Sequence, residues 1–223
     1  LIYQDKALKF NMKIAITGGH LTPALSVIEA LPKEVEVLYI GRKHALEGDR
    51  AVSLEYEVIT QKGINFAVLQ TGRLQRTITR YTIPSLAKVP IGLAKSILIL
   101  KKFKPDVVVG FGGYVSFPVI LAAKVLKIPI VIHEQTLEAG AANMFLSRFA
   151  KKICISFETS RKFFPKDKTT LTGNPVRDTI IHPSKKFDFG ENEKVVFITG
   201  GSLGSHFINL LVKECLAKLL DNY

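Results

Sequence analysis

Residues 104–135 read KPDVVVGFGGYVSFPVILAAKVLKIPIVIHEQ and contain a complete strand–helix–strand unit. Two runs of consecutive apolar residues predict short strands over 106–109 and 129–132, and the longer run over 115–126 predicts a helix between them. Strands that are apolar on both faces are typical of a parallel sheet covered by helices on both sides. This segment therefore indicates an α/β fold.

The same alternation extends along most of the chain. Further strands are predicted over 12–17, 35–40, near Val58, over 66–69 and over 152–156, and further helices over 23–31, 45–56, 84–103 and 139–149. Thr22 is the expected N-cap of the first helix, with Pro23 at its first position. Residues 72–80 are predicted to form a basic loop. Residues 12–176 thus resemble one complete doubly wound parallel-sheet domain.

A second domain is expected to begin at residue 177. After a polar stretch over 182–193, an apolar run over 195–199 predicts a strand, and a helix follows to about residue 220. One strand and one helix cannot bury both faces of a sheet, so we expect residues 177–223 to be the start of an incomplete domain. Because Met12 opens the first strand, residues 1–11 are expected to be a leader or upstream readthrough.

Composition and charge narrow the classes of protein. Hydrophobic residues make up 47% of the 223 residues, which favours a packed core over disorder. Two cysteines, Cys154 and Cys215, are too few for a disulfide framework or a metal-ligand set. The net charge is +12, and the segment between Glu57 and Asp106 contains basic but no acidic residues. Such a block favours phospholipid headgroups, nucleic acid or a phosphorylated ligand.

Three glycine-rich turns follow predicted strands, at 17–20, 110–114 and 200–204. Ligands of open α/β sheets bind at the carboxyl ends of strands, and glycine lets backbone N–H groups approach a phosphate there. None of the turns matches the full dinucleotide fingerprint or the lysine-bearing phosphate loop, which disfavours a dehydrogenase or a P-loop ATPase. Each turn could equally be an ordinary tight connection.

His133 and Glu134 follow the predicted strand over 129–132. An imidazole beside a carboxylate at this position could transfer protons, and it could equally anchor a loop through hydrogen bonds. No second histidine follows at helical spacing, so a zinc-protease site is excluded.

The apolar stretch over 83–100 is interrupted by prolines and lysines, which excludes a membrane-spanning helix. It could lie in the membrane interface or be an ordinary core helix. The expected membrane contacts are Arg80, Lys88, Ile91, Leu93, Lys95, Ile97 and Leu98.

Six segments, in order, resemble a known enzyme family. They are TGGHLTPAL (17–25), KPDVVVGFGGYVSFP (104–118), IPIVIHEQ (128–135), residues 140–143, GNPVR (173–177) and GGSLG (200–204). With these six segments, the chain resembles the GT-B glycosyltransferases of peptidoglycan synthesis. Those enzymes transfer N-acetylglucosamine from UDP to undecaprenyl-diphospho-N-acetylmuramoyl-pentapeptide. It departs from the family at Ala15-Ile16 and at Phe117, where glycines are usual, and in the missing remainder of the second Rossmann-like domain.

The resemblance implies an inverting, metal-independent attack by the 4-hydroxyl of the muramoyl sugar on UDP-N-acetylglucosamine, which is a substrate, so no cofactor is expected. It implies a peripheral protein on the cytoplasmic face of the cell membrane. The chain alone is expected to be inactive without the missing donor region or a partner chain that supplies it.

The resemblance also assigns roles to individual residues. His20 is the expected base, with His133 or Glu134 behind it. The donor-binding residues are Thr17, Gly18, Gly19, Asn143, Arg177 and Ser202, and the diphosphate loop contains Gly200, Gly201, Leu203 and Gly204. The residues facing the acceptor are Tyr114, Gly112, Gly113 and Gln135.

Three other functions stay open at this point. A different GT-B enzyme could act on glycolipids, although GNPVR together with the His-Glu-Gln turn argues against it. A non-catalytic, membrane-docking acceptor subunit would need a separate donor domain. A nucleic-acid-binding protein is suggested by charge alone, since no aromatic residues interleave the basic block.

Overall fold

The computed structural model describes residues 11–44, 52–72, 82–183, 190, 194–200 and 204–222; of residues 82–88 and 222 it describes the backbone alone. The chain divides into two compact units, Leu1–Ile181 and His182–Tyr223.

The first unit is built on a parallel sheet. In the described residues it has seven strands, which are β1 (Lys13–Thr17), β2 (Glu36–Gly41), β3 (Asn65–Val68), β4 (Val107–Gly110), β5 (Ile130–Glu134), β6 (Lys152–Ile155) and β7 (Thr169–Leu171). Their order across the sheet is β3-β2-β1-β4-β5-β6-β7, and every neighbouring pair is parallel. The predicted α/β class is confirmed.

Helices alternate with these strands. They are α1 (Leu21–Ala30), α2 (Leu54–Gln61), α3 (Thr82–Phe103), α4 (Gly113–Val125), α5 (Ala141–Leu146) and α6 (Asp178–Ile181), with short 3-10 helices at Ser147–Phe149, Glu158–Phe163 and Lys166–Lys168. Helix α7 (His206–Asn222) belongs to the second unit. Within the described part of the chain, none of the helices combines the length and the hydropathy that crossing a membrane requires.

Both faces of the sheet are buried, which explains the continuous apolar runs of its strands. Ile14 and Ile16 of β1 pack on one face with residues of α1 and α2, whereas Ala15 packs on the other face with residues of α3 and α4. Each fully buried isoleucine stabilises the fold by about 1.5–3 kcal/mol relative to an exposed one. The sheet can therefore hold the turns at its carboxyl edge in fixed positions.

The start of α1 differs from the prediction. The helix begins at Leu21, so Thr22 lies inside its first turn and His20 is the N-cap residue, without a side-chain cap bond. Pro23 consequently takes the third helical position, where its missing N–H is still one of the four that no helical carbonyl can accept. The prediction that Thr22 caps the helix is wrong.

The segment between β2 and β3 also differs. Helix α2 begins at Leu54 and runs to Gln61, so the predicted strand near Val58 is wrong, and the predicted helix end at residue 56 is too early. Ser53 caps α2 by accepting a hydrogen bond from the Tyr56 N–H, and Glu55 and Glu57 favour its first turn. A serine followed by acidic residues is a signal for the start of a helix, and it was present in the sequence. Residues 45–51 lie outside the described residues, as do residues 73–80 of the predicted basic loop.

In the second unit the predicted helix is confirmed, but the predicted strand over 195–199 is wrong. Residues 194–200 have no regular secondary structure, and Val195, Phe197 and Ile198 are exposed. A strand requires a neighbour with which to form a ladder of hydrogen bonds, and the described residues provide none beside this run.

Candidate functional site

The carboxyl ends of β1, β4 and β5 lie side by side and bring three predicted segments together. The turn after β1 touches the turn after β4, since the Gly19 N–H donates to the Gly112 carbonyl oxygen at 2.9 Å. Gly113 has φ of +77°, and a Cβ built on it would lie 2.9 Å from the Gly19 nitrogen. Glycine is required at 113 because both the conformation and the close approach exclude a side chain.

A cavity of about 270 Å³ lies at this edge. It is lined by His20, Gly112, Gly113, Glu134, Gln135, Thr136, Glu138, Gly140, Ala142 and Asn143. Six of these residues were predicted as site residues, although they come from four separate segments of the sequence. Thr136, Glu138, Gly140 and Ala142 were not predicted individually, and their signal was the glycine-containing segment after the His-Glu-Gln turn.

Glu134 uses its carboxylate to hold the loop that follows β5. Oε1 accepts hydrogen bonds from the N–H and hydroxyl of Thr136, and Oε2 accepts from the Gly140 N–H at 3.0 Å and from Asn143 Nδ2 at 2.9 Å. The residue is only 1% exposed. All four hydrogen bonds are accepted by its carboxyl oxygens, so Glu134 is placed to position the cavity wall.

Asn143, also buried, is fixed by the same contacts. Its Nδ2 donates to Glu134 Oε2 and to the His133 carbonyl oxygen at 3.3 Å. The Ser160 hydroxyl holds the intervening loop through one bifurcated hydrogen bond, which the carbonyl oxygens of Thr136 and Leu137 share. The loop over 135–143 is therefore tied to the sheet at both of its ends.

His133 lies behind the cavity, 4% exposed, with its ring 5.5 Å from that of Phe111. Nε2 contacts the Gly173 carbonyl oxygen at 3.2 Å, and because a carbonyl only accepts, Nε2 carries the hydrogen. Burial lowers the pKa of His133, while the Gly173 carbonyl, Gln135 and Glu134 oppose this shift. The buried ring is therefore neutral at neutral pH, and it ties the GNPVR segment to β5.

His20 differs from His133 because it is exposed at the rim of the cavity and stands at the N-terminus of α1. Desolvation of its ring by the surrounding atoms lowers the pKa of His20, and the charge of Glu134 opposes this shift. The positive end of the α1 dipole also disfavours the imidazolium. His20 is thus a neutral imidazole that solvent and ligand can reach.

Thr17 and Gly18 lie beneath this rim. Thr17 is fully buried at the end of β1, and its Oγ1 has no hydrogen-bond partner among the described residues. The Gly18 carbonyl oxygen accepts a hydrogen bond from the buried Tyr39 hydroxyl at 3.2 Å. A Cβ on Gly18 would lie 2.7 Å from the Cβ of Phe111. These contacts fix the backbone immediately before His20.

Tyr114, in the first turn of α4, contacts a residue that the sequence did not single out. Arg42 Nη1 donates to the Tyr114 hydroxyl oxygen at 3.2 Å, and the guanidinium carbon lies 5.4 Å from the ring centroid. Glu55 accepts from the Arg42 N–H at 2.7 Å and lies 3.6 Å from its Nε. Burial raises the pKa of Glu55, and its contacts with Arg42 oppose the shift. The only available sequence signal was that Arg42 follows the carboxyl end of β2.

The remaining residues that were predicted to bind the donor are spread over both units. Arg177 lies before α6 in the first unit, half-buried, and its Nε has no partner among the described residues. Gly200 and Gly204 belong to the second unit, whereas Gly201, Ser202 and Leu203 lie outside the described residues. Within the described residues, no group of three or more His, Cys, Asp or Glu could hold a metal ion.

Helix α3 has one buried and one exposed face. Gly92, Ser96 and Leu100 are buried, and Leu93 and Ile97 pack partly against the core. Ile91 is 55% and Leu98 67% exposed, on the same face as the exposed Lys95. The side chain of Lys88 and all of Arg80 lie outside the described residues.

Comparisons with known proteins agree with this fold. The model of the glycosyltransferase family 28 N-terminal domain matches residues 16–155. Two curated relatives, from Clostridium perfringens and Halalkalibacterium halodurans, are 39% and 38% identical over 95% and 89% of this chain. Both are named UDP-N-acetylglucosamine–N-acetylmuramyl-(pentapeptide) pyrophosphoryl-undecaprenol N-acetylglucosamine transferase. The chain spans 60% and 56% of their lengths.

A solved structure is similar as well. The crystal structure of Acinetobacter baumannii MurG matches with a TM-score of 0.59 and 27% identity, covering 77% of this chain and 48% of that chain. The family model covers more than half of the present sequence, from within β1 to the end of β6. The chain therefore belongs to the protein family that is defined by the glycosyltransferase family 28 N-terminal domain.

Proposed function

We propose that this protein takes part in the transfer of N-acetylglucosamine from UDP-N-acetylglucosamine to the lipid-linked N-acetylmuramoyl-pentapeptide of peptidoglycan synthesis. The observation that carries the proposal is the cavity at the carboxyl edge, where the exposed His20 stands beside two touching glycine turns. The names of the curated relatives support this choice of donor and acceptor.

The two domains predicted from the sequence have different tasks in this proposal. Residues 12–176 bind the acceptor, with Gly112, Gly113, Tyr114 and Gln135 facing it. Residues 177–223 begin the domain that binds the UDP-sugar, and Arg177 and the glycine-rich segment over 200–204 are its proposed diphosphate-binding residues. The donor side also uses Thr17, Gly18, Gly19 and Asn143. Because the chain spans only about 60% of its relatives, we propose that it is inactive without the remaining donor region.

His20 acts as the general base. The 4-hydroxyl oxygen of the muramoyl sugar forms a bond to the anomeric carbon of the donor, its proton passes to His20, and UDP leaves with the electrons of the broken bond. In this proposal the anomeric centre is inverted and the transfer does not depend on a metal ion. A base must be unprotonated and within reach, and His20 is both neutral and exposed, whereas His133 and Glu134 are buried and hydrogen-bonded. His133 and Glu134 therefore act by positioning.

Developing charge on UDP needs fixed donors. The planar guanidinium of Arg177 suits a diphosphate because it can donate two parallel hydrogen bonds. A glycine-rich turn before a helix favours a phosphate, and we propose the segment over 200–204 as the second source of hydrogen-bond donors. Stabilisation of this charge is the largest expected contribution to catalysis.

The first unit docks peripherally on the cytoplasmic face of the membrane. The exposed stripe of α3 combines Ile91 and Leu98 with Lys95 and Lys102, so apolar side chains can enter the interface while ammonium groups meet anionic headgroups. Each such lysine contributes about 1 kcal/mol near an anionic surface. Docking there would hold the first unit at the surface that contains its lipid-linked acceptor.

The test compares the chain with an extended form that carries the donor region of the Clostridium perfringens relative. Transfer of labelled N-acetylglucosamine to a soluble lipid I analogue should occur with the extended form and not with the chain alone. The same chain should bind the analogue in equilibrium dialysis. Activity of the chain alone would overturn the proposed inactivity, and absence of both binding and transfer would overturn the proposed acceptor.

A further inference from the structure

Arg42 and Tyr114 follow the two strands that flank β1, and their side chains are in contact. It follows β2, and its Nη1 reaches the hydroxyl oxygen of Tyr114, in the helix that follows β4. In the sheet, β2 and β4 are the two neighbours of β1. The contact therefore joins the two segments that flank the turn bearing His20.

Arg42 is itself held in place by groups that leave it little freedom. Glu55, 6% exposed, lies 3.6 Å from Arg42 Nε and accepts the backbone N–H of the same residue at 2.7 Å. The Arg42 carbonyl oxygen accepts from the Ser53 hydroxyl at 2.6 Å, and Ser53 in turn caps α2. Helix α2 and strand β2 thus orient one guanidinium.

The direction of the hydrogen bond matters for what Tyr114 can do. Arg42 only donates, so the Tyr114 hydroxyl accepts from it and keeps its own proton for another acceptor. The guanidinium also lies near the face of the ring, a favourable cation–π position. Tyr114 is thereby presented as a hydrogen-bond donor of fixed orientation.

We propose that Arg42 is a positioning residue for acceptor binding, which fixes Tyr114 as a donor to an oxygen of the lipid-linked acceptor. Glu55 contributes by fixing Arg42. The inference rests on the proposed function, since it assumes that Tyr114 faces the acceptor. It adds a contact that neither the glycine turns nor the His-Glu-Gln segment indicates.

Two substitutions at position 42 separate positioning from folding. Arg42→Lys retains a cation that can pair with Glu55, but an ammonium on a flexible stem cannot also hold the Tyr114 hydroxyl in the fork geometry. Arg42→Met removes both contacts. We expect the melting temperature of Arg42→Lys to lie within a few degrees of that of the parent chain. We expect Arg42→Lys to bind a soluble lipid I analogue about tenfold more weakly than the parent chain does. Lys33→Met, in the turn before β2, is the matched control and should bind like the parent.

A double-mutant cycle tests whether Arg42 acts through Tyr114. Arg42→Met should weaken binding of the analogue about tenfold in the parent chain and less than twofold in the Tyr114→Ala background. Equal losses in both backgrounds would overturn the proposal, because a merely structural role does not depend on Tyr114.

A measurement without ligand distinguishes this proposal from the proposed function. With 3-fluorotyrosine at position 114, the fluorine resonance should shift and broaden in Arg42→Lys and stay unchanged in Lys33→Met. If the resonance responds but the parent chain does not bind the analogue, the proposed function fails and the contact between Arg42 and Tyr114 stands. If the resonance does not respond, the positioning role is wrong whatever the binding result.

Discussion

Asn143 Nδ2 lies 2.9 Å from Glu134 Oε2, and this hydrogen bond joins helix α5 to the end of β5 beneath the cavity. Glu134 also accepts the Gly140 N–H and both polar groups of Thr136. One buried carboxylate therefore determines the course of the loop over 135–143. Glu134 was predicted to carry a proton and Asn143 to contact the sugar. The hydrogen bond between them makes both part of the same loop structure.

Glu134→Gln should destabilise the first unit. The amide has the size of the carboxylate but replaces one oxygen by an NH₂ group, which must then face donors such as the Gly140 N–H. Leaving these buried donors without an acceptor costs about 1–3 kcal/mol. Urea unfolding followed by circular dichroism should show this loss. Glu138→Gln, on the same loop but exposed, is the control; equal stability of both variants would contradict the role of Glu134.

Gly113→Ala should cost more than an ordinary glycine substitution. Gly113 has φ of +77° and would place its Cβ 2.9 Å from the Gly19 nitrogen. Gly63 has φ of +71° but nothing within 4 Å of an added Cβ, so Gly63→Ala carries only the backbone penalty of about 1–2 kcal/mol. The difference in unfolding free energy between the two variants measures the contact between the two glycine turns. A difference of zero would mean that the turns can separate freely.

How far the sequence predicts this molecule depends on the range of the interactions involved. The strands around residues 106–109 and 129–132 were predictable because a parallel sheet buries both strand faces and leaves continuous apolar runs. The pairing of Arg42 with Tyr114 was not, because it depends on the order of β2, β1 and β4 across the sheet and on two side-chain conformations. The strand predicted over 195–199 failed for a related reason, since an apolar run forms a strand only beside a neighbour.

Stability of the first unit should fall as the pH drops below about 6.5. The pKa of His133 is lowered from its ordinary value of 6.5, mainly by burial, and that of His20 is lowered as well. Below pH 6.5 the unfolded chain therefore binds protons that the folded chain does not yet bind. Each such proton lowers the free energy of unfolding by about 1.4 kcal/mol per pH unit. Stability is fully present above pH 6.5 and is lost as the pH falls from this value through the lowered pKa values of the folded chain. Urea unfolding at pH 7.5 and 5.5 measures the loss.

The matched variant for this pH dependence is His133→Gln, whose amide can still donate to the Gly173 carbonyl oxygen. Its stability should change less between pH 7.5 and 5.5 than that of the parent. His206→Gln, at an exposed position of α7 in the second unit, is the control for replacing a histidine by glutamine. A steeper slope in His133→Gln would show that the sign of the His133 contribution is wrong.

His20 should titrate below pH 6.5 in the folded chain and should be required for transfer. Desolvation lowers the pKa of His20 in spite of the charge of Glu134, and NMR titration of its ring protons measures this directly. In the extended form with the relative's donor region, His20→Ala should reduce kcat about 10²–10⁴-fold, the usual contribution of a general base. Binding of the lipid I analogue should change little. A pKa above 6.5, or full activity without the imidazole, would exclude His20 as the base.

Leu98→Glu should weaken binding of the chain to anionic vesicles. Leu98 is 67% exposed on the stripe of α3 that also contains Ile91 and Lys95, and burying a leucine at an interface contributes about 1.5–3 kcal/mol. The added carboxylate is also repelled by anionic headgroups. Sedimentation with vesicles of phosphatidylglycerol should show at least a tenfold loss of bound protein. Leu171→Glu, at an exposed leucine of β7, controls for the change in net charge. If both variants lose binding equally, charge alone holds the chain to the vesicle and α3 is an ordinary solvent-facing helix; a loss confined to Leu98→Glu identifies α3 as the segment that enters the membrane interface.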